Sequence, residues 1–322
     1  MMFPMFAPGS RSRMLMQRLL QALPVVLFAT FVAFGLLKLI PGDIAVTLAG
    51  DNASDQRIAE IRQLYGLDRS FLSQYFSWIA GALQGDLSRS LLTGEAVADS
   101  LARALPTTAL VVALAMVFAF AIGAPLGVLA ASRPGSWVDS LVMTLASVGI
   151  AVPSFWLAML LIAWFAIGLG WFPVTGSVAL GTDPLAALHH AILPAFALAV
   201  GGIAEISRQL RSTLIELLDS QQVRTLHAKG LSPARILWVH GLRNVGINLL
   251  TVLTLLANRL LAATVVIEAV FALPGLGSLI VKAALQRDFP VVQGVILSMV
   301  LIVLAINLLA DLLYGVIDPR VK

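Results

Sequence analysis

The 322-residue chain contains no cysteine, and few of its residues are charged. The absence of cysteine excludes disulfide bonds and thiolate sites for metals or redox chemistry. Charged residues make up 12% of the chain and hydrophobic residues 59%, whereas a soluble domain typically has about 25% and about 45–50%. Together with a mean hydropathy of +0.94, this composition predicts an all-α integral membrane protein.

Two patterns that mark catalytic or metal sites are also absent. The chain has no Gly-x-x-x-x-Gly-Lys-Ser/Thr phosphate loop, so the sequence predicts no ATPase site of its own. It has no His-Glu-x-x-His zinc pattern, and the adjacent His189 and His190 would point in different directions on a helix. We therefore expect neither catalysis nor a metal site in this chain.

The apolar residues that dominate the chain are gathered into six runs, and a helix that crosses a bilayer needs roughly 20 such residues. The third run is long and contains Pro153, so we expect it to bend there. A polar segment (40–107) follows the first run, and a basic segment (207–244) follows the fourth. The predicted spans are residues 19–39, 108–129, 141–169, 191–206, 245–267 and 291–314.

Basic and acidic residues are distributed unequally between the two sides of the predicted membrane. Residues 1–18, 207–244 and 315–322 are rich in Lys and Arg, whereas residues 40–107 contain many of the acids. Because an excess of Lys and Arg marks the cytoplasmic side, both termini and the basic segment are predicted to be cytoplasmic and 40–107 periplasmic. The net charge of +4 is thus interpreted as topology and not as affinity for nucleic acid.

The basic segment has the pattern of two helices joined by a turn. A helix that includes Ala228 and Lys229 would stop at Gly230, and Ser232 followed by Pro233 is typical of a helix start. Three interpretations fit this pattern: a helix lying on anionic lipid, a basic loop that fixes topology, or a rigid knob that docks in a groove of a partner protein.

The same residues resemble the cytoplasmic loop of ATP-binding-cassette importer permeases, whose common pattern is Glu-Ala-Ala, three residues and Gly. Arg224-Thr225-Leu226 and Gly230 take these positions, as in the dipeptide, oligopeptide and nickel permeases. The order and spacing of further motifs favour the B-type subunit of that family. They are Leu39-Ile40-Pro41-Gly42-Asp43, Pro153-Ser154-Phe155-Trp156, Arg208-x-x-Arg211, Phe271-x-x-Pro274-Gly275-Leu276-Gly277 and Arg287-Asp288-Phe289-Pro290.

Three departures from the family pattern stand out. Leu226-His227 replaces Ala-Arg, Gly246-Ile247-Asn248 lacks a proline, and Ala262-Ala263 replaces a Gly-Gly pair in the fifth predicted span. Small residues set how closely membrane helices approach each other. The alanine pair therefore concerns helix packing and not the transport function that the family implies.

The resemblance implies the type I importer permease fold, with the basic segment as a coupling helix against a cytoplasmic ATPase. It implies a complex in the bacterial inner membrane with a second homologous permease, two ATPases that use ATP and Mg²⁺, and an external solute-binding protein, while this chain binds no cofactor. The cargo would be di- or oligopeptides, or alternatively nickel, glutathione or another small solute. The implied ATPase-coupling residues are Arg224, Thr225, Leu226, Ala228, Lys229, Gly230 and Leu231.

Two functions other than a transport subunit are compatible with a membrane protein of this composition. An intramembrane enzyme would need a nucleophile and base, or a carboxylate pair, within the spans, and none stands out. A passive channel would need pore-lining repeats or charged rings and would have no use for a coupling loop.

Arg259, in the middle of the fifth predicted span, is the most unusual charged residue of the chain. An unpaired guanidinium is costly in hydrocarbon, so Arg259 should pair with an acid or face the translocation cavity. Glu205 and Asp311 are the candidate partners in this chain, and an acid of the partner permease is a third. Both a place in the translocation pathway and a purely structural pairing remain open for these three residues.

Overall fold

The computed structural model describes residues 11–39, 43–50 and 53–317, and most of them are helical. The predicted terminal segments 1–18 and 315–322 lie partly outside these ranges, and Ile40-Pro41-Gly42 lies wholly outside them. The helices are α1 (Arg11–Leu39), α2 (Ile44–Ala49), α3 (Asp55–Leu64), α4 (Phe71–Leu83), α5 (Val97–Ser132), α6 (Trp137–Ala151), α7 (Ser154–Leu161), α8 (Pro184–Leu218), α9 (Gln221–Ala228), α10 (Pro233–Arg235), α11 (Leu242–Val270), α12 (Leu276–Leu285) and α13 (Phe289–Ile317).

The described residues form two compact units. The large unit comprises residues 107–273 and 305–317, and the small unit comprises residues 11–106 and 274–304. Every candidate site residue named above belongs to the large unit.

Several helices are long and apolar enough to cross a membrane. Four of the described helices meet this condition, and the pair formed by α6 and the segment that follows it (Trp137–Ala151 and Ser154–Gly168) adds a fifth span if it is counted as one. The first predicted span corresponds to α1, whose apolar stretch, Leu20–Leu36, is shorter than these helices. Among the described residues the structure therefore has four to five long spans and two shorter apolar helices, Leu20–Leu36 and Leu276–Leu285, where the hydropathy pattern predicts six spans.

The predicted bend at Pro153 is confirmed. Helix α6 ends at Ala151, α7 begins at Ser154, and the two axes differ in direction by 98°. Proline has no backbone N–H and its ring clashes with the preceding turn, so it bends or breaks a helix. Residues 162–168 then continue α7 as a π-helix.

Helix α8 is longer than the fourth apolar run. Asp183 caps its start by accepting hydrogen bonds from the amides of Leu185 and Ala186, and the helix continues to Leu218, well into the predicted basic segment. Leu210 and Leu214 are buried one turn apart and keep this polar stretch packed against the unit. Hydropathy alone ends the span near residue 206, but a helix continues wherever one of its faces is buried.

Helix α8 approaches α5 closely at two glycines. A Cβ on Gly123 would lie 2.8 Å from the carbonyl oxygen of Ile203, and one on Gly127 would lie 2.8 Å from that of Ser207. The Ser207 hydroxyl also donates to the carbonyl oxygen of Gly123 at 3.0 Å. This small-residue face, with four-residue spacing, is the arrangement that allows membrane helices to pack backbone to backbone.

A buried polar contact joins α5 to the end of α11 within the large unit. Thr108 and Glu268 are almost fully buried, and the Thr108 hydroxyl donates to the Glu268 carboxylate at 2.6 Å. A buried carboxylate is stabilised only when hydrogen bonds replace its water. The pair therefore ties α5 to α11 near the end of α11.

Aromatic contacts and a buried, hydrogen-bonded carboxylate hold the small unit together. Tyr75 of α4 makes edge-on contacts with Phe31 and Phe34 of α1, and its hydroxyl donates to the carbonyl oxygen of Leu27 at 2.9 Å. The buried carboxylate of Asp288 accepts hydrogen bonds from the Ser90 hydroxyl and the Leu91 amide.

Candidate functional site

Helix α9 follows α8 after only two residues. Ser220 caps its start, because its hydroxyl accepts a hydrogen bond from the amide of Val223. Val223 is the one buried side chain of α9 and anchors the helix. The exposed side chains of α9 are those of Gln221, Gln222, Arg224, Thr225, His227 and Ala228.

A tight turn ends α9 as the sequence predicts. Gly230 has φ +81, a conformation that an L residue with a Cβ adopts only with strain. The amide of Gly230 donates to the carbonyl oxygen of His227, and the amide of Leu231 donates to that of Leu226. Ser232 then caps α10, so the predicted helix stop at Gly230 and restart at Pro233 are confirmed.

The seven predicted coupling residues therefore lie on one short helix and its terminal turn. Five of them are exposed, and the side chains of Leu226 and Leu231 are half-buried. A rigid helix end that presents polar and small side chains can dock in a partner's groove. Contact of these residues with an ATPase stays a prediction.

A polar cavity of about 820 Å³ lies inside the large unit between α6, α7, α8 and α11. Its size is within the range of about 300–1,000 Å³ that is typical of small-molecule sites. Apolar and small residues, Gly201 and Ala263 among them, form much of the wall. The charged and amide side chains that line it are Glu205, Arg208, Gln209, Arg211 and Arg259.

The structure brings two of the three predicted intramembrane charges together in this polar cavity. The guanidinium of Arg259 on α11 donates to the carboxylate of Glu205 on α8. Both side chains remain accessible, with exposed fractions of 61% for Arg259 and 30% for Glu205. Asp311 lies half-buried on α13 and is not part of this pair.

A second ion pair at the same helix was not predicted. Arg211 of α8 donates to both carboxylate oxygens of Asp139 on α6, and the amide of Gly135 donates to Asp139 at 2.9 Å. The Asp139 side chain is only 4% exposed. The available signal was an acid two residues before the third predicted span, since a charge that close to an apolar run is retained most readily when it has a partner.

Comparison with known proteins places these features in a family. The model of the binding-protein-dependent transport system inner membrane component matches residues 123–322, and the model of the N-terminal part of such membrane components matches residues 11–116. A putative peptide transport system permease protein of Brucella abortus is 42% identical over 309 residues, covering 96% of this chain and 98% of that protein. The oligopeptide transport system permease protein AppB of Bacillus subtilis is 35% identical over 312 residues, with the same coverage.

A third relative and a solved structure agree with this assignment. The di/tripeptide transport system permease protein DppB of Pseudomonas aeruginosa is 37% identical and covers 95% of this chain, with 97% of its own length matched. A chain of the MetNI methionine ABC transporter in an inward-facing conformation aligns with a TM-score of 0.53 and 20% identity. That alignment covers 68% of this chain and 96% of the other, and it shows a shared fold. This chain therefore belongs to the family of binding-protein-dependent transport system inner membrane components.

Proposed function

We propose that this chain is the permease subunit of an ATP-driven importer that moves peptides across the bacterial inner membrane. The observation that carries this proposal is its similarity, along nearly the whole chain, to relatives named as peptide, oligopeptide and di/tripeptide permeases. The match includes both the membrane helices and the polar segment before them.

The importer consists of this chain, a second homologous permease, two ATPases that use ATP and Mg²⁺, and an external solute-binding protein. The excess of Lys and Arg in the basic segment supports a cytoplasmic position for α9, where the ATPases would be. The chain's own sequence contains no phosphate loop, so the energy is supplied by the partner subunits.

Helix α9 and its turn act as the coupling element of this importer. Only two residues separate α9 from α8, and Val223 ties α9 to the packed interior, so a displacement of α9 pulls on α8. Helix α8 also lines the polar cavity. ATP-driven closure of the ATPases would thereby shift the equilibrium between inward-open and outward-open states.

The polar cavity is part of the translocation pathway in this proposal. It combines a volume sufficient for a short peptide with charged side chains that are otherwise costly at this depth in a membrane protein. Arg259 and Glu205, which pair at its lining, would contact the solute, and Asp311 has a structural role on α13.

The coupling role is tested by adding a bulky side chain to α9. Ala228 is exposed at the end of α9, so Ala228→Trp should leave the fold intact but prevent docking in an ATPase cleft. We expect the variant to lose co-purifying ATPase and ATP-dependent uptake of labelled dialanine into proteoliposomes. Ala59→Trp, at an exposed position on α3, is the matched control and should keep the ATPase.

Two outcomes would contradict the proposal. If the unmodified chain co-purifies with no ATPase, or if Ala228→Trp supports unchanged uptake, α9 is not a coupling helix. If nickel accumulates and no peptide does, the importer remains but the proposed cargo is wrong.

A further inference from the structure

The two ion pairs on α8 differ in how firmly their charges are held. Asp139 is buried and accepts three hydrogen bonds, two from Arg211 and one from the Gly135 amide. In the described part of the chain, Glu205 and Arg259 each make only the bond to the other. An ion pair whose side chains water can reach contributes little stability, so it is easily opened.

The Glu205–Arg259 pair also stands where a solute would pass. The carboxylate on α8 and the guanidinium on α11 meet at the lining of the polar cavity, which is large enough to hold a dipeptide beside them. The cavity wall also contains Arg208, which is exposed and forms no ion pair with any described residue. The cavity therefore offers one carboxylate and two accessible guanidinium groups.

A peptide with free termini carries the complementary charges. Its carboxylate can accept two parallel hydrogen bonds from the guanidinium of Arg259, and its ammonium group can donate to the carboxylate of Glu205. The exchange replaces one internal pair with two pairs to the solute, so neither Glu205 nor Arg259 is left unpaired. A solute with only one charged terminus would replace the internal pair with a single pair to the solute, so it would gain one charged hydrogen bond fewer than a zwitterion.

We propose that Glu205 and Arg259 form an exchangeable binding site for the two charged termini of a zwitterionic peptide. This inference rests on the proposed function and adds a selection step inside the membrane part of the importer. In the empty cavity, Glu205 and Arg259 pair with each other. When a peptide binds, its ammonium group replaces Arg259 as the partner of Glu205, and its carboxylate replaces Glu205 as the partner of Arg259.

Binding to the permease–ATPase complex without its solute-binding protein isolates this site. Saturation-transfer NMR in nanodiscs would compare dialanine with N-acetyl-dialanine and dialanine amide, because the method detects weak binding. We expect each blocked peptide to bind about tenfold more weakly than dialanine, the loss that corresponds to one charged hydrogen bond.

Single substitutions test which of the two residues binds which terminus of the peptide. Glu205→Gln should abolish the preference for dialanine over its N-acetyl form, and Arg259→Gln should abolish the preference over the amide. The double exchange Glu205→Arg with Arg259→Glu keeps an ion pair in place and should keep the preference for the doubly charged peptide. Arg57→Gln and Glu60→Gln, which open an exposed ion pair on α3, are the controls and should leave every ranking unchanged.

If the Glu205–Arg259 pair were purely structural, the complex would not distinguish the peptides by their charged termini. If the Glu205 and Arg259 variants weaken all three peptides equally, or if the unmodified complex binds the blocked peptides as well as dialanine, this inference is overturned. The proposed function fails separately, when the complete importer with its solute-binding protein shows no ATP-dependent uptake of dialanine.

Discussion

Helix α8 takes part in two ion pairs whose chemistry is alike and whose surroundings differ. Asp139 and Arg211 have side-chain exposures of 4% and 29%, whereas Glu205 and Arg259 have exposures of 30% and 61%. The first pair joins α6 to α8, and the second joins α8 to α11 across the polar cavity.

Burial, and not the presence of opposite charges alone, decides whether an ion pair must stay closed or can open. A buried charge has lost its water, so its partner becomes indispensable, although the pair as a whole need not add stability. An accessible charge can be hydrated when its partner leaves, so its pair can open and close at little cost. The Asp139–Arg211 pair is therefore the better suited of the two to a structural role, and the Glu205–Arg259 pair is the one that the proposed exchange with a peptide requires to open.

The largest loss of folding stability is expected from substitution of Asp139. Asp139→Ala would leave the Arg211 guanidinium partly buried without its acid and would remove the acceptor of the Gly135 amide. We expect the free energy of unfolding to fall by about 3 kcal/mol. A denaturant titration in mixed micelles would measure it, with Glu60→Ala on α3 as the control for loss of an exposed acid. A loss similar to that of the control would show that burial does not distinguish the pairs.

A smaller loss of folding stability is expected from a substitution at the contact between α5 and α8. Gly127→Ala would place a methyl group 2.8 Å from the carbonyl oxygen of Ser207, so the two helices would have to separate. We expect a loss of about 2 kcal/mol from this overpacking, measured in the same titration. Gly201→Ala on α8 is the matched control, because no atom lies within 4 Å of its added Cβ. Equal stability of the two variants would mean that α8 is not held by this close approach.

The smallest change in folding stability is expected from substitution of Glu205. Glu205→Gln removes the charge but keeps the size of the side chain, and the Arg259 side chain is 61% exposed in this chain. We expect the free energy of unfolding to change by less than about 1 kcal/mol in the same titration. If the change instead equals that of Asp139→Ala, both pairs are structural, and the exchange of Glu205 and Arg259 with a peptide would be excluded.

The sequence allowed much of the turn after α9 to be predicted. The stop at Gly230 and the cap at Ser232 depend on local backbone conformation, which these residue types restrict without help from distant parts of the chain. The break at Pro153 was predicted for the same reason, since the lost N–H belongs to the residue itself. Helix α8 extended past residue 206 because Leu210 and Leu214 are buried, and hydropathy alone does not report burial.

The sequence by itself determined the class of the molecule: a chain with 12% charged residues and long apolar runs must place its helices in a membrane. It also determined that Arg259 needed an acid or a cavity. Only the tertiary structure decided that the acid is Glu205 and that the two meet at a polar cavity. It also decided that Asp139, unremarked in the sequence, is the more deeply buried partner of a second pair. Partner choice depends on which helix faces which, and that is set by contacts between residues far apart in the chain, such as Gly127 and Ser207.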